Sequence, residues 1–141
     1  MRLLGGIGIP FIDDVHIVGR VSELKAETYY MERGWQVFTP QSVRTKADFL
    51  AVSSDENQSV LKVQVKTVQE NGEYLQTRIT VKERNYTLKE IDVFVFVYKD
   101  RMWEIPHEKI QGLTTINFGR IDRRSLNNRV AKFDPSPFEI H

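Results

Sequence analysis

Along residues 60–68 hydrophobic and polar positions alternate with a period of two, with Leu61, Val63 and Val65 on one side and Lys62, Gln64 and Lys66 on the other. That is the period of a strand with one buried face, and it obliges Gln64 and Lys66 to project together. Upstream, residues 47–52 form a short apolar run with one acid, Asp48, near its start. Asp55, Glu56, Asn57 and Gln58 then supply turn residues, so the two runs predict a hairpin. Residues 91–98 are almost uninterruptedly apolar, as in a central strand. Residues 101–106 return from a Lys99-Asp100 turn as its neighbour, and residues 107–112 predict a short helix. Asn71-Gly72 marks a further turn, followed by a predicted strand over residues 74–81.

The period changes near the N-terminus. Val21, Leu24, Thr28 and Met31 fall at helical spacing, Ser22 is a candidate cap and Gly34 a stop, which predicts a helix over residues 21–33. Residues 35–40 have strand-like content closed by Pro40, and residues 41–46 read as a polar loop. After Phe118 the pattern dissolves, and Pro135 and Pro137 argue against regular structure in the tail. A helix, then strands, then a mixed region predicts an α/β (α+β) fold with a central mixed sheet flanked by helices. The strand order stays open at this level.

The length of 141 residues suits one domain, with a core over about residues 17–118 and a basic extension over residues 119–141. A hydrophobic fraction of 40% with 28% charged residues is ordinary for a globular protein and speaks against disorder throughout. No cysteine is present, which excludes disulfides, thiolate metal sites and a cysteine nucleophile. The first ten residues are apolar but broken by Gly5, Gly6, Gly8 and Pro10, unlike a signal peptide, and no run is long enough for a membrane span. These features lead us to expect an intracellular, cytoplasmic protein. The net charge of +1 gives no overall basic excess, but residues 119–132 carry Arg120, Arg123, Arg124, Arg129 and Lys132 against only Asp122. Such a segment can meet a nucleic-acid backbone. Arg44 and Lys46, just before Asp48, can track the same backbone.

Asp48, Gln64 and Lys66 are the candidate chemistry. Hydrolysing a phosphodiester requires charge neutralisation at phosphorus, an activated water and a stabilised leaving oxygen, and a magnesium ion (Mg2+, or Mn2+ in its place) held by a few oxygens supplies all three. The predicted hairpin sets Asp48 beside the strand that carries Gln64 and Lys66. Gln64 offers an amide oxygen, Val65 a backbone carbonyl, and Lys66 an ammonium able to balance charge developing on the phosphate. Glu23, on the preceding helix, can complete the shell directly or through water. Singly, each has an ordinary explanation: a turn aspartate, a solvated strand face, an acid suited to a helix dipole.

The joint pattern is more informative. Gly19-Arg20-Val21-Ser22-Glu23, then Arg33-Gly34-Trp35-Gln36-Val37 and Pro40, then Ala47-Asp48-Phe49-Leu50 and Lys62-Val63-Gln64-Val65-Lys66-Thr67 resemble the PD-(D/E)XK nuclease superfamily. The likeness is to its small homing endonucleases from bacterial group I introns and, more distantly, to archaeal Holliday-junction resolvases. It extends over about residues 19–106. The resemblance implies that Glu23 is the helix acid, with Glu27 one turn later as its substitute, and that Asp48 is the central metal ligand. It also implies that Gln64 stands at a position usually acidic and that Lys66 is the catalytic lysine. Gln64 removes one negative charge from the shell, and the intron-encoded branch is the one with Gln-x-Lys. The implied activity is sequence-specific, Mg2+-dependent cleavage of double-stranded DNA by a homodimer or homotetramer, because one site cuts one strand. A junction-resolving nuclease and a DNA-binding module with a decayed site are the competing expectations. Gly5-Gly6-Ile7-Gly8 lacks the ending of a phosphate-binding loop, Asp13 and Asp14 read as a surface turn, and His16, His107 and His141 lack ligand spacing.

Overall fold

A computed structural model describes residues 14–42, 44–79, 87–122 and 133–141. Helix α1 runs Val15–Glu32, six residues earlier than the sequence pattern suggests. Its cap is Asp14, whose carboxylate accepts from the His16 amide at 2.8 Å. Ser22 is therefore no cap: it lies buried in mid-helix, and the β-branched residues Val15, Ile17 and Val18 hide the true start. The expected apolar stripe is also the wrong face. Val21, Leu24 and Met31 are exposed at 38%, 45% and 52%, whereas Ser22, Ala26, Glu27 and Tyr30 are buried. Small residues bring the helix close to the sheet, and Tyr30 supplies most of its buried bulk.

The helix ends as Gly34 predicts. The Gly34 amide donates to Met31 O and the Trp35 amide to Tyr30 O, both at 3.0 Å, with Gly34 at φ +87°. These paired bonds satisfy carbonyls of the last turn, and the Trp35 ring packs edge-on against Tyr30 at 5.7 Å. Trp35 thereby aims the chain into β1, Gln36–Phe38.

Strands β2 (Phe49–Val52) and β3 (Val60–Thr67) form the expected antiparallel hairpin. Its turn is organised by Asp55, whose Oδ1 accepts from the Asn57 and Gln58 amides and the Ser53 hydroxyl. Next come β4 (Gln69–Asn71), β5 (Tyr74–Arg78), β6 (Val93–Tyr98), β7 (Arg101–Pro106), α2 (His107–Ile110) and β8 (Thr115–Arg120). The strand expected over residues 74–81 ends at Arg78, and its last two residues lie outside those described. The tail is more regular than its prolines suggest: a short 3-10 helix (Ser136–Phe138) leads into β9, Glu139–Ile140, which pairs with β7. The prolines sit in and beside the 3-10 turn, where a missing amide costs nothing, rather than in the ladder.

The larger sheet has the order β1-β2-β3-β6-β7-β9, antiparallel except for the parallel pair β3–β6, and β4-β5-β8 form a second sheet. β6 is buried on both faces, as its apolar run requires. Val93, Val95 and Val97 pack with Val63, Val65, Phe49, Ala26 and Tyr30 beneath α1. Phe94 and Phe96 face the other way, onto Trp103, Leu75, Ile116 and Phe118 beneath the second sheet, with Ile110 of α2 beside them. The result is a mixed sheet with flanking helices. No described helix is long and apolar enough to cross a membrane.

Gly34→Ala forces a Cβ onto left-handed backbone, at a cost of about 1–2 kcal/mol. Urea unfolding should show the midpoint fall by the corresponding amount, and an unchanged midpoint would remove Gly34 as the device that ends α1.

Candidate active site

β2 stops at Phe49, opposite Val63. Continued in register, Asp48 would face Gln64, but the Asp48 amide instead donates to Val63 O at 2.7 Å. Its carboxylate then accepts the Val65 amide at 2.7 Å, standing where a neighbouring strand's carbonyl would stand. β3 thus continues to Thr67 past the end of β2, and this open edge is where the predicted residues gather. Val63 and Val65 stay in the core beneath α1, so Gln64 and Lys66 alternate onto the opposite side.

Gln64 carries an unmet demand. Its Oε1 is buried without a hydrogen-bond partner, the sole such side-chain atom among the described residues, while Nε2 makes only a long 3.5 Å contact to Val65 O. A buried acceptor left unpaired costs about 1–3 kcal/mol, so this orphan, one residue from the amide that Asp48 holds, calls for an explanation. An oxygen-seeking cation is one that the donor chemistry supports.

From α1, Arg20 reaches Glu23 Oε1 at 3.0 Å and Glu27 Oε2 at 3.2 Å through one nitrogen. The Ser22 and Thr67 hydroxyls, 2.8 Å apart, pin this part of the helix to the residue that follows Lys66. Tyr30 donates a short hydrogen bond to Glu104 on β7, fixing the helix farther along. Burial pushes the Asp48 carboxyl up to about 6. The Val65 amide and Lys66 oppose the rise, Glu23 adds to it and Glu27 adds less. Asp48 therefore feels both helix acids and the lysine, while Gln64 lies on the same strand two residues before Lys66. No group of three or more His, Asp or Glu able to hold a metal occurs among the described residues. A cation here would rest on Asp48, the Gln64 amide oxygen and the Val65 carbonyl, with Glu23 held back by Arg20.

A cleft of about 660 Å³ opens beside Lys66, walled by Gly19, Thr67, Gln69, Gln76 and Arg78. Arg44 is exposed and Lys46 half-buried in the loop leading to Asp48. Arg120 does not extend an open basic strip, because Glu73 at 2.8 Å and Asp122 at 3.6 Å hold it. Arg123, Arg124, Arg129 and Lys132 lie outside the described residues. So do the glycines at 5, 6 and 8 and Asp13, whereas Asp14 has become the helix cap. His107 is buried with Nδ1 2.8 Å from Ile91 O, a structural role. Sequence reasoning passed over Arg20 and the Ser22–Thr67 pair. Arg20 stands three and seven residues before the two acids, a spacing that places all three on one helix face.

The raised Asp48 value means that the folded chain holds this proton more tightly than the unfolded one. Its ionisation is therefore without cost below about pH 4 and carries its full cost above about pH 6. Asp48→Asn keeps an acceptor for the Val65 amide and removes the charge. It should stabilise the metal-free protein by about 1–2 kcal/mol at pH 7.5, after allowance for partial exposure, with the gain vanishing near pH 4. Thermal unfolding of both proteins in chelator across that range is the check, and a gain independent of pH would contradict the assignment.

The sequence matches no family model and no curated protein. The fold is similar to a solved structure of a bacterial homing endonuclease, I-Ssp6803I, with a TM-score of 0.68 and 19% identity over 89% of this chain and 86% of that one. This chain shares the fold of that endonuclease.

Proposed function

We propose that this protein is a metal-dependent endonuclease of double-stranded DNA, of the sequence-specific homing type. The observation that carries the reading is the orphaned Gln64 Oε1 on β3, one residue before the Val65 amide that the Asp48 carboxylate holds and two before Lys66. The shared fold with a bacterial homing endonuclease supports it.

In this reading Asp48, Gln64 and the Val65 carbonyl hold a magnesium ion, and Glu23 joins them by letting go of Arg20. The ion, when bound, neutralises charge on the phosphate and makes water a better nucleophile. Lys66 balances negative charge as it develops on the phosphate oxygens. Asp48 serves as an anion even though burial favours its proton, because cation binding and proton binding compete for the same oxygens. Arg44 and Lys46 grip the backbone near the cut, and the basic residues at 123, 124, 129 and 132 extend that grip. An intracellular setting follows from such a substrate.

Cutting both strands requires two active sites, so we place a second copy of this chain on the exposed side of α1. A groove of about 650 Å³ runs there between Leu24, Tyr29 and Met102. Its rim carries Lys25 and Arg33 as well as Glu32 and Asp100, the balanced charge that a two-fold, self-facing interface needs.

Cleavage of a randomised duplex library with and without Mg2+, followed by sequencing of the ends, tests the activity. Cutting should require the ion and fall on the order of 100- to 1000-fold in Asp48→Ala and in Lys66→Ala, with metal-free binding kept in both. Wild-type protein that cuts nothing would turn the reading to a binding module, and a preference for four-way junctions regardless of sequence would turn it to a resolvase. For the assembly, Leu24→Asp should shift sedimentation from an oligomer to a folded monomer, and an unaltered oligomer would rule out this face.

A further inference from the structure

The second sheet does more than cover a core. Its inner side is apolar, with Leu75, Ile79, Ile116 and Phe118 against the larger sheet. By the alternation of β5 and β8, the outer side carries Gln76, Arg78, Thr115 and Asn117, and the register sets Gln69 beside Gln76, Gln76 beside Asn117 and Arg78 beside Thr115. Asn71 Nδ2 donates to Gln76 Oε1 at 2.9 Å and holds that amide in one plane. The row thus offers the amides of Gln69, Asn71, Gln76 and Asn117 and the guanidinium of Arg78. Two acids stand nearby and both are engaged: Glu70 accepts from the Tyr98 hydroxyl at 2.5 Å and lies 3.9 Å from Lys99, and Glu73 is held by Arg120 at 2.8 Å.

This chemistry matches base edges better than it matches phosphates. A glutamine or asparagine pairs bidentately with adenine in the major groove and an arginine with guanine, and the groove admits a two-stranded ribbon such as β4–β5. Position agrees as well. Gln69 follows Lys66 by three residues, at most about 10 Å of extended chain, and both line the same cleft. Ten ångströms along a duplex is about three base pairs.

We infer that the outer face of β4–β5–β8 reads base edges in the major groove next to the scissile phosphate, with Gln76 and Arg78 as the specificity-determining residues. The assignment of the cut position rests on the nuclease reading; the recognition itself is separable from it.

Selection of bound sequences from a randomised duplex library in metal-free buffer, in parallel for wild type, Arg78→Ala, Gln76→Ala and Gln76→Glu, is the test. Wild type should show a preference that Arg78→Ala and Gln76→Ala each relax at one or two positions, by on the order of 10- to 100-fold. Gln76→Glu should move the preference from adenine toward cytosine, a change of identity that misfolding cannot produce. Where wild type cuts, the affected positions should lie within about six base pairs of the sequenced ends. If wild type cuts nothing yet these binding shifts appear, the nuclease reading fails and the reading face stands. A selected sequence identical in all four proteins overturns the reading face and leaves the nuclease proposal untouched, whereas no selected sequence in wild type overturns the reading face together with the sequence specificity of the proposed nuclease and leaves only its cutting chemistry.

Discussion

The bond from the Val65 amide to the Asp48 carboxylate organises everything around it. Strand β3 needs a partner on both sides as far as Thr67, but β2 leaves it at Phe49. A backbone amide left unpaired there would cost as much as a lost hydrogen bond, so some acceptor must stand in for the missing strand. A carboxylate fills that position at the cost of burying a charge, which shows in its raised proton affinity. The one bond thus lets two strands part without an orphaned donor and fixes an acid at the parting point. It also leaves the edge of β3 beside Gln64 and Lys66 open where it would otherwise be paired.

That edge is held from both faces. Beneath α1, alanine and valine side chains allow a close approach, and the Ser22–Thr67 contact locks the helix near the end of β3. Beneath the second sheet, stacked and tilted aromatic rings, Phe94 with Phe96 and Phe118 with Trp103, fill the wider gap. The acids of α1 and the lysine of β3 come from opposite sides of one sheet and both act on Asp48, where β2 has left β3. Arg20 keeps the two helix acids apart from Asp48 in charge, so three carboxylates coexist without their full mutual repulsion.

The strands were readable where a single physical demand set the pattern. The alternation of residues 60–68 and the apolar run of residues 91–98 both report burial directly, and both became strands of the larger sheet. The pairing of Asp48 with β3 was readable too, since a hairpin turn admits few registers. The helix was not, for its buried face is built of Ser22, Ala26, Glu27 and Tyr30, two of them polar and one small, while Val21, Leu24 and Met31 mimic a core stripe on the outside. β8 and β9 were missed because their partners lie far along the chain: Thr115–Arg120 pairs with β5 and Glu139 with Trp103. Nothing local in those segments announces a partner some forty residues away. Arg120 looked like part of a basic strip for a similar reason, its partner Glu73 being distant in sequence but adjacent across the sheet.

β9 has a consequence for how the molecule can associate. It covers the flank of β7 for two residues, and Glu139 locks it there through paired bonds to Arg101 at 2.8 and 2.9 Å. At the far flank stands β1, three residues long. Both borders of the larger sheet are thus too short to template an incoming strand, the protection that soluble sheets need against stacking edge to edge without limit. Association at these two borders must therefore run through side chains, where geometry can close an assembly at a fixed number of copies.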